Sequence, residues 1–331
     1  MSHTKKLCAV LLALVLALSA LTACGEPGRQ ETGEKRPCIV TTIFPIYDWI
    51  RQILGDQAGD VDLVLLLDSG VDLHSYQPSV DDMVTISTCD LFVYVGGLSD
   101  QWARDAVTAS DWDIKSLSLL DALGDRVKEE ETVEGMEPEE EIETETEAGP
   151  EETEYDEHVW LSLRNAAVLC EAVAVRLGEM DEAGRDLYAA NAAAYIEKLN
   201  ALDRQYADMV DAAPRRTLLF GDRFPFCYLV DDYGLDYYAA FSGCSAETEA
   251  SFTTIVFLAD KVDELDLHVV LTTESADGRI AKTIVENTAA QSAEILQLDS
   301  MQSVTEKDIA DGLIYLDVME RNLETLREAL E

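Results

Sequence analysis

The chain of 331 residues carries 66 Asp and Glu against 24 Lys and Arg, a formal net charge of −42. Such a balance speaks against nucleic acid or an anionic surface as a partner and makes cations the natural attraction. Hydrophobic residues are 47% of the sequence, enough for sizeable cores, and roughly 300 residues beyond the N-terminal segment exceed what one core usually serves, so two domains are expected.

Lys5 and Lys6 precede an apolar run from Leu7 to about Leu21. This is a positive n-region with a hydrophobic region too short to span a bilayer as a stable helix. The run ends in Leu21-Thr22-Ala23-Cys24-Gly25; small residues before a cysteine are what a lipoprotein signal peptidase requires. Residues 1–23 therefore read as a signal peptide, Cys24 as the lipid-bearing anchor, and the polar stretch 24–36 as a flexible stalk. No later segment has the roughly 18 apolar residues of a membrane span. The mature protein is expected outside the cytoplasm, anchored to the cell membrane without crossing it.

Strand-like apolar runs then alternate with helical patterns, the signature of α/β units with parallel sheets. The predicted elements of a first lobe, 37–181, are a strand at Cys38–Phe44, a helix at Ile46–Leu54, a strand at Val61–Leu67, a helix at Val80–Thr88, a strand at Leu91–Val95 and a helix at Gln101–Thr108. Between Glu129 and Glu157 there are 16 acidic residues and no Lys or Arg. A block of that kind repels itself and buries too little apolar surface to fold, so 127–157 is expected to be a disordered loop that could concentrate divalent cations. Helices follow at Asn165–Leu177 and Glu182–Ala212, the second one long and Ala-rich and ended by Pro214. This helix, 182–213, is expected to join the first lobe to a second, 214–331. There the strands are Thr217–Phe220, Tyr237–Phe241, Val269–Thr273 and Glu294–Leu298, and the helices Phe226–Asp232, Phe252–Glu264, Arg279–Thr288 and Ile309–Leu330.

Seven cysteines are present. With Cys8 in the signal and Cys24 lipidated, Cys38, Cys89, Cys170, Cys227 and Cys244 remain, without CxxC spacing. Export permits disulfides, Cys38–Cys89 and Cys227–Cys244 being conceivable; buried thiols acting as small apolar residues are the competing reading.

Of four histidines, His3 leaves with the signal and His268 opens a strand, a structural or surface position. His74 follows a strand and Gly70, where open α/β sheets gather ligands. His158 stands where the acidic block returns to the fold. Spacing alone gives two isolated histidines little meaning. The stretch Asp72-Leu73-His74-Ser75-Tyr76-Gln77-Pro78-Ser79, however, resembles the first ligand motif of the metal-binding lipoproteins of zinc and manganese ABC importers. Asp156-Glu157-His158-Val159-Trp160-Leu161 is similar to their second motif, with Glu157 where Pro is common. Thr41-Thr42-Ile43-Phe44-Pro45-Ile46-Tyr47-Asp48 and Val95-Gly96-Gly97-Leu98 resemble their first strand and a glycine turn. The resemblance covers nearly the whole mature chain, the long helix and the loop before the second histidine included; that loop is often His-rich in zinc importers and here has none.

This resemblance implies two α/β lobes of parallel-type sheets flanked by helices, joined by one long rigid helix, with a metal site in the cleft between them. It implies His74 and His158 as ligands from the first lobe. In Arg223-Phe224-Pro225-Phe226-Cys227-Tyr228, Arg223 stands where the third ligand, His or Glu, is usual, and arginine cannot ligate a cation. Asp222 is the nearest replacement. In Glu274-Ser275-Ala276-Asp277-Gly278-Arg279, Asp277 falls on the family's carboxylate ligand, with Glu274 as second candidate; Asp277 could equally cap the following helix. Two imidazoles with carboxylates suit Zn²⁺, or Mn²⁺ if oxygen dominates. The expected function is capture of that ion by a monomer and its delivery to an ABC permease in the same membrane, with no catalysis and no nucleic acid. The competing readings are a surface adhesin and a binder of a small anionic organic solute, which Arg223 would suit; a metallohydrolase would need an HExxH-like helix that the sequence lacks.

Overall fold

The β-branched and leucine-rich runs form eight short strands, and a computed structural model of the protein describes them within residues 36–108, 114–137, 154–245 and 249–331. Cys24 and the signal peptide lie outside the described residues, as do residues 24–35 of the stalk and 138–153 of the acidic block.

In chain order the elements are β1 (Cys38–Thr41), α1 (Phe44–Leu54), β2 (Asp62–Leu65), α2 (Val80–Thr88), β3 (Leu91–Tyr94), α3 (Gln101–Thr108), β4 (Ser116–Ser118), α4 (Leu119–Leu123), α5 (Leu163–Met180) and α6 (Arg185–Ala212). Then come β5 (Thr217–Phe224), α7 (Cys227–Tyr233), β6 (Asp236–Ser242), α8 (Phe252–Glu264), β7 (Val269–Thr272), α9 (Arg279–Asn287), β8 (Glu294–Gln297), α10 (Glu306–Ala310) and α11 (Tyr315–Leu330). The strands make two four-stranded sheets of order β2-β1-β3-β4 and β6-β5-β7-β8. Every pairing is parallel, with Ile39 opposite Leu63 and Leu91, and Val270 opposite Ile295. Helices cover both faces of such sheets, so their central strands read as continuous apolar runs; all four residues of β3 and of β7 are buried.

Helix α6 shows why the halves hold together. It buries Tyr188, Ala192, Tyr195, Leu199, Leu202, Tyr206 and Met209, a spacing of alternating four and three that keeps one stripe turned inward. Its 28 residues run about 42 Å at 1.5 Å per residue. Asn191 on α6 donates to Ile53 O of α1, and Tyr206 Oη donates to Met319 O of α11. Further bonds bind the halves directly: Asp48 on α1, fully buried, accepts from Tyr315 N, and Tyr315 Oη donates to Trp160 O. One apolar core accordingly runs from β1 and β3 through α6 to β5 and β7, with a smaller second core around Leu219, Leu258, Val270 and Ile284. Residues 37–331 form a single unit by contact.

Several expected elements shift. The predicted closing helix over Ile309–Leu330 is two helices, because Gly312 takes a φ of 91° between α10 and α11. β5 runs four residues beyond Phe220, through Asp222 and Arg223, past an irregularity in its pairing with β6. Strand β4 and helix α4 carry no signal strong enough to be predicted. Of the segment expected to be a disordered loop over 127–157, the described flanks are held in place. Glu130 N donates to Glu154 O and Asp156 N to Lys128 O, and Glu137 N donates to Ala240 O of the second sheet. Neither conceivable disulfide forms: Cys89, Cys227 and Cys244 are thiols. No described helix is long and apolar enough to cross a membrane.

Candidate metal centre

Loops at the carboxyl ends of the strands converge on two imidazoles, the place where open parallel sheets collect ligands. After β2 the chain turns through a short 3₁₀ helix, Leu73–Ser75, whose N-cap Asp72 accepts from His74 N at 2.9 Å. That cap fixes the direction of the His74 side chain. A second Asx turn repeats the device, Asp156 Oδ1 accepting from His158 N at 2.8 Å. The two Nε2 atoms face each other at 3.0 Å, with ring centroids 5.1 Å apart.

Each outer nitrogen has its own partner. His158 Nδ1 lies 3.1 Å from Asp156 Oδ1, so Nδ1 carries the proton and donates it. His74 Nδ1 lies 2.6 Å from Ser99 Oγ and 3.9 Å from the Glu157 carboxylate, which favours the proton there too. Both Nε2 lone pairs are then aimed at one point. Outer partners that fix tautomer and ring direction in this way are what metal-ligating histidines have. Close glycine contacts make room: a Cβ on Gly243 would stand 3.1 Å from His158 Cε1, and one on Gly97 would overlap the Glu157 carboxyl group. Glu157 holds Ser99 through its backbone N–H at 2.8 Å.

Two lone pairs at this distance repel unless a cation, either a proton or a metal ion, sits between them. Burial alone would discharge His158, but the Asp156 carboxylate, with Glu157 and Asp72 behind it, outweighs this and raises its pKa above 6.5. Burial and the charge on His158, with Arg223 adding to them, push His74 down to about 3. The pair therefore takes up one proton far more readily than two. A tetrahedral ion about 2.05 Å from each nitrogen would set them about 3.3 Å apart, so exchanging that proton for a metal asks for an opening of a few tenths of an ångström.

His74 and His158, the two first-lobe ligands expected from the sequence, are thus brought together; the three second-lobe carboxylates are not brought to them. Among the described residues the one group of metal-ligating atoms lying mutually within 4.8 Å is His74, His158 and Cys244. Asp222 accepts from both the backbone N–H (2.8 Å) and the hydroxyl of Thr273, tying β5 to the end of β7. Glu274 takes Ser300 N (2.7 Å), Ser300 Oγ and Gln302 N (2.9 Å), and so organises the loop after β8. Asp277 is exposed; it accepts from Arg279 N at 3.0 Å and pairs with the Arg279 guanidinium, a turn ahead of α9. Asp222 and Asp277 do line, with His74 and Arg223, a cavity of about 330 Å³ between the two sheets.

Arg223 does not face an anionic guest. Its guanidinium lies 2.7 Å from Asp72 Oδ2, both side chains largely buried, so it clamps β5 to the loop that carries His74. Burial would raise the Asp72 pKa, but Arg223 and His74 together outweigh it and lower the pKa. The residue that sequence reasoning missed is Cys244, in the turn after β6. Its only mark was position, in Ser242-Gly243-Cys244-Ser245 just past a strand end.

Two parallel sheets with a buried imidazole pair at their facing carboxyl ends define a two-lobed α/β solute-binding protein. The chain belongs to the family described as zinc-uptake complex component A, periplasmic, whose model matches residues 39–329. It is 31% identical over 322 residues to the zinc-binding lipoprotein AdcA of Streptococcus pneumoniae, covering 97% of this chain and 60% of that protein. The chain thus spans about 60% of the length of that relative. The high-affinity zinc uptake system protein ZnuA of Bacillus subtilis is 28% identical, with 94% of this chain and 93% of that protein aligned. The crystal structure of the Zn(II)-bound ZnuA-like domain of S. pneumoniae AdcA superposes with a TM-score of 0.68 at 29% identity, covering 89% of this chain and 99% of that one.

Proposed function

We propose that the protein captures a zinc ion outside the cytoplasm and delivers it, as a monomer tethered through Cys24, to an ABC importer in the same membrane. The observation that carries this reading is the pair of Nε2 atoms 3.0 Å apart, each ring held by an outer hydrogen bond. Neutral imidazole suits zinc, and manganese with its taste for oxygen is the weaker candidate where the carboxylates are engaged elsewhere. The family and the printed names of its zinc-binding relatives agree with it. Binding rather than catalysis fits the carboxylates nearest the rings, Asp156 and Glu157, which are occupied in orienting them. An organic anion is disfavoured because Arg223 is neutralised by Asp72.

Elemental analysis of protein purified without added metal, with zinc titration of variants, tests the reading. The unmodified chain should hold one zinc per molecule. His74→Ala should lose it, and Asp277→Ala should keep it. Retention of zinc by His74→Ala, or a bound state that chelators leave untouched, overturns the proposal.

A further inference from the structure

Two imidazoles leave a zinc ion short of ligands, and position 223 supplies a cation instead of a donor. The guanidinium of Arg223 is taken up by Asp72, so the remaining tetrahedral positions of a zinc ion need a donor from somewhere else. The acids of the second lobe are engaged: Asp222 with Thr273, Glu274 with the loop from Ser300, Asp277 with Arg279. What the second sheet does bring to the rings is sulfur. Cys244 follows β6, and its backbone N–H is anchored at 2.9 Å by Glu130. The preceding Gly243 packs on the His158 ring so closely that any side chain there would press on it. Sγ lies within 4.8 Å of a ring nitrogen of each histidine. A tetrahedral zinc with a Zn–S bond of about 2.3 Å would place sulfur about 3.6 Å from each nitrogen, a distance that a small movement of the cysteine side chain supplies.

We propose that Cys244 is the third ligand of the ion held by His74 and His158, a thiolate that makes the site selective for a thiophilic divalent ion over manganese. This rests on the metal-capture reading above. On binding, the Cys244 S–H bond breaks, its electron pair forms the bond to the metal, and the proton leaves to water. The thiolate gives the site a soft ligand, which zinc accepts and manganese does not favour. A small cleft of about 170 Å³, lined by Ser99, Glu130, Glu154 and Glu157, reaches Cys244 from the side of the acidic segment, so the thiol has its own acidic approach.

Cobalt(II) serves as the probe, because a thiolate ligand adds a near-ultraviolet charge-transfer band that nitrogen and oxygen ligands do not. The full chain should show that band at one equivalent of cobalt, and Cys244→Ser should abolish it. In competition with a chromophoric chelator, Cys244→Ser should lower zinc affinity by about 100-fold, the upper end of what loss of a mere outer partner costs, and leave manganese affinity unmoved. Zinc should also protect Cys244 from alkylation. One equivalent of metal bound without the band, with Cys244→Ser binding zinc as tightly as the unmodified chain, overturns the inference and leaves metal capture standing. Failure of the unmodified chain to bind zinc or cobalt overturns both. Matching thermal melts of the metal-stripped proteins exclude misfolding as the source of a loss.

Discussion

On the first-sheet side of the cleft, Asp156 and Ser99 take the Nδ1 protons of His158 and His74 and leave both Nε2 atoms aimed at one point. On the second-sheet side, Asp222, Glu274 and Asp277 turn their oxygens toward N–H and O–H groups of their own half. The residue types on both sides suit a metal. What separates them is where the hydrogen bonds go. A carboxylate at the end of a parallel strand stands beside unsatisfied backbone N–H groups, and capping them stabilises the fold without any ion. An imidazole has two nitrogens, so it can be fixed by one and still present the other.

The contrast is broken most severely at Glu274. Its carboxylate receives three hydrogen bonds from Ser300 and Gln302, and the loop it organises also accepts from Trp160 of the first half. Glu274→Ala should therefore cost about 3 kcal/mol of stability, as expected when charge-assisted bonds to buried donors are lost. Urea denaturation of the metal-stripped protein measures it. The variant should still bind one zinc; loss of zinc with unchanged stability would make Glu274 a ligand after all.

Asp156 sharpens the other side. It touches no site for the ion, yet it fixes the His158 ring by two hydrogen bonds to one oxygen. Asp156→Ala should weaken zinc binding by about 10- to 100-fold, the usual cost of an outer partner. Competition titration reads the change, and an unaltered affinity would show that Gly243 and the surrounding core hold the ring unaided.

The halves also differ in how much the sequence disclosed. Strands β1, β3 and β7 are short apolar runs between turn residues, and the stripe on α6 repeats over about six turns from Tyr188 to Met209, so the two-sheet layout is legible from pattern alone. His74 and His158 were legible through the motifs around them, including the Asp two residues before each, which the structure shows to be the Asx turn that aims the ring. Asp277 was legible as a ligand candidate or a helix cap; it stands one residue before the N-cap Gly278 and accepts from Arg279 N. Cys244 was hidden because nothing local sets it apart from a packed thiol; only the folded chain brings its sulfur within 4.8 Å of a nitrogen of each ring. Arg223 was recognised as unable to bind a cation, but its partner Asp72 lies 151 residues away, beyond any local signal.

The smallest effect tests whether the imidazoles act as a pair. Consider the Cys244→Ser chain, in which the rings bind without the thiol's proton. Burial would lower the His158 pKa, but Asp156 with its neighbouring carboxylates raises it, while burial and His158 push His74 down to about 3. Between these limits the metal displaces one proton, so zinc affinity should fall about tenfold per pH unit as pH drops below the His158 pKa. Titrations at successive pH values give the slope. A fall of about a hundredfold per unit would mean that both rings are charged before the ion arrives, which is incompatible with a 3.0 Å contact between their Nε2 atoms. In the unmodified chain a coordinating thiol adds its own proton and steepens the slope by one, so the difference between the two chains counts the protons that each side of the cleft gives up.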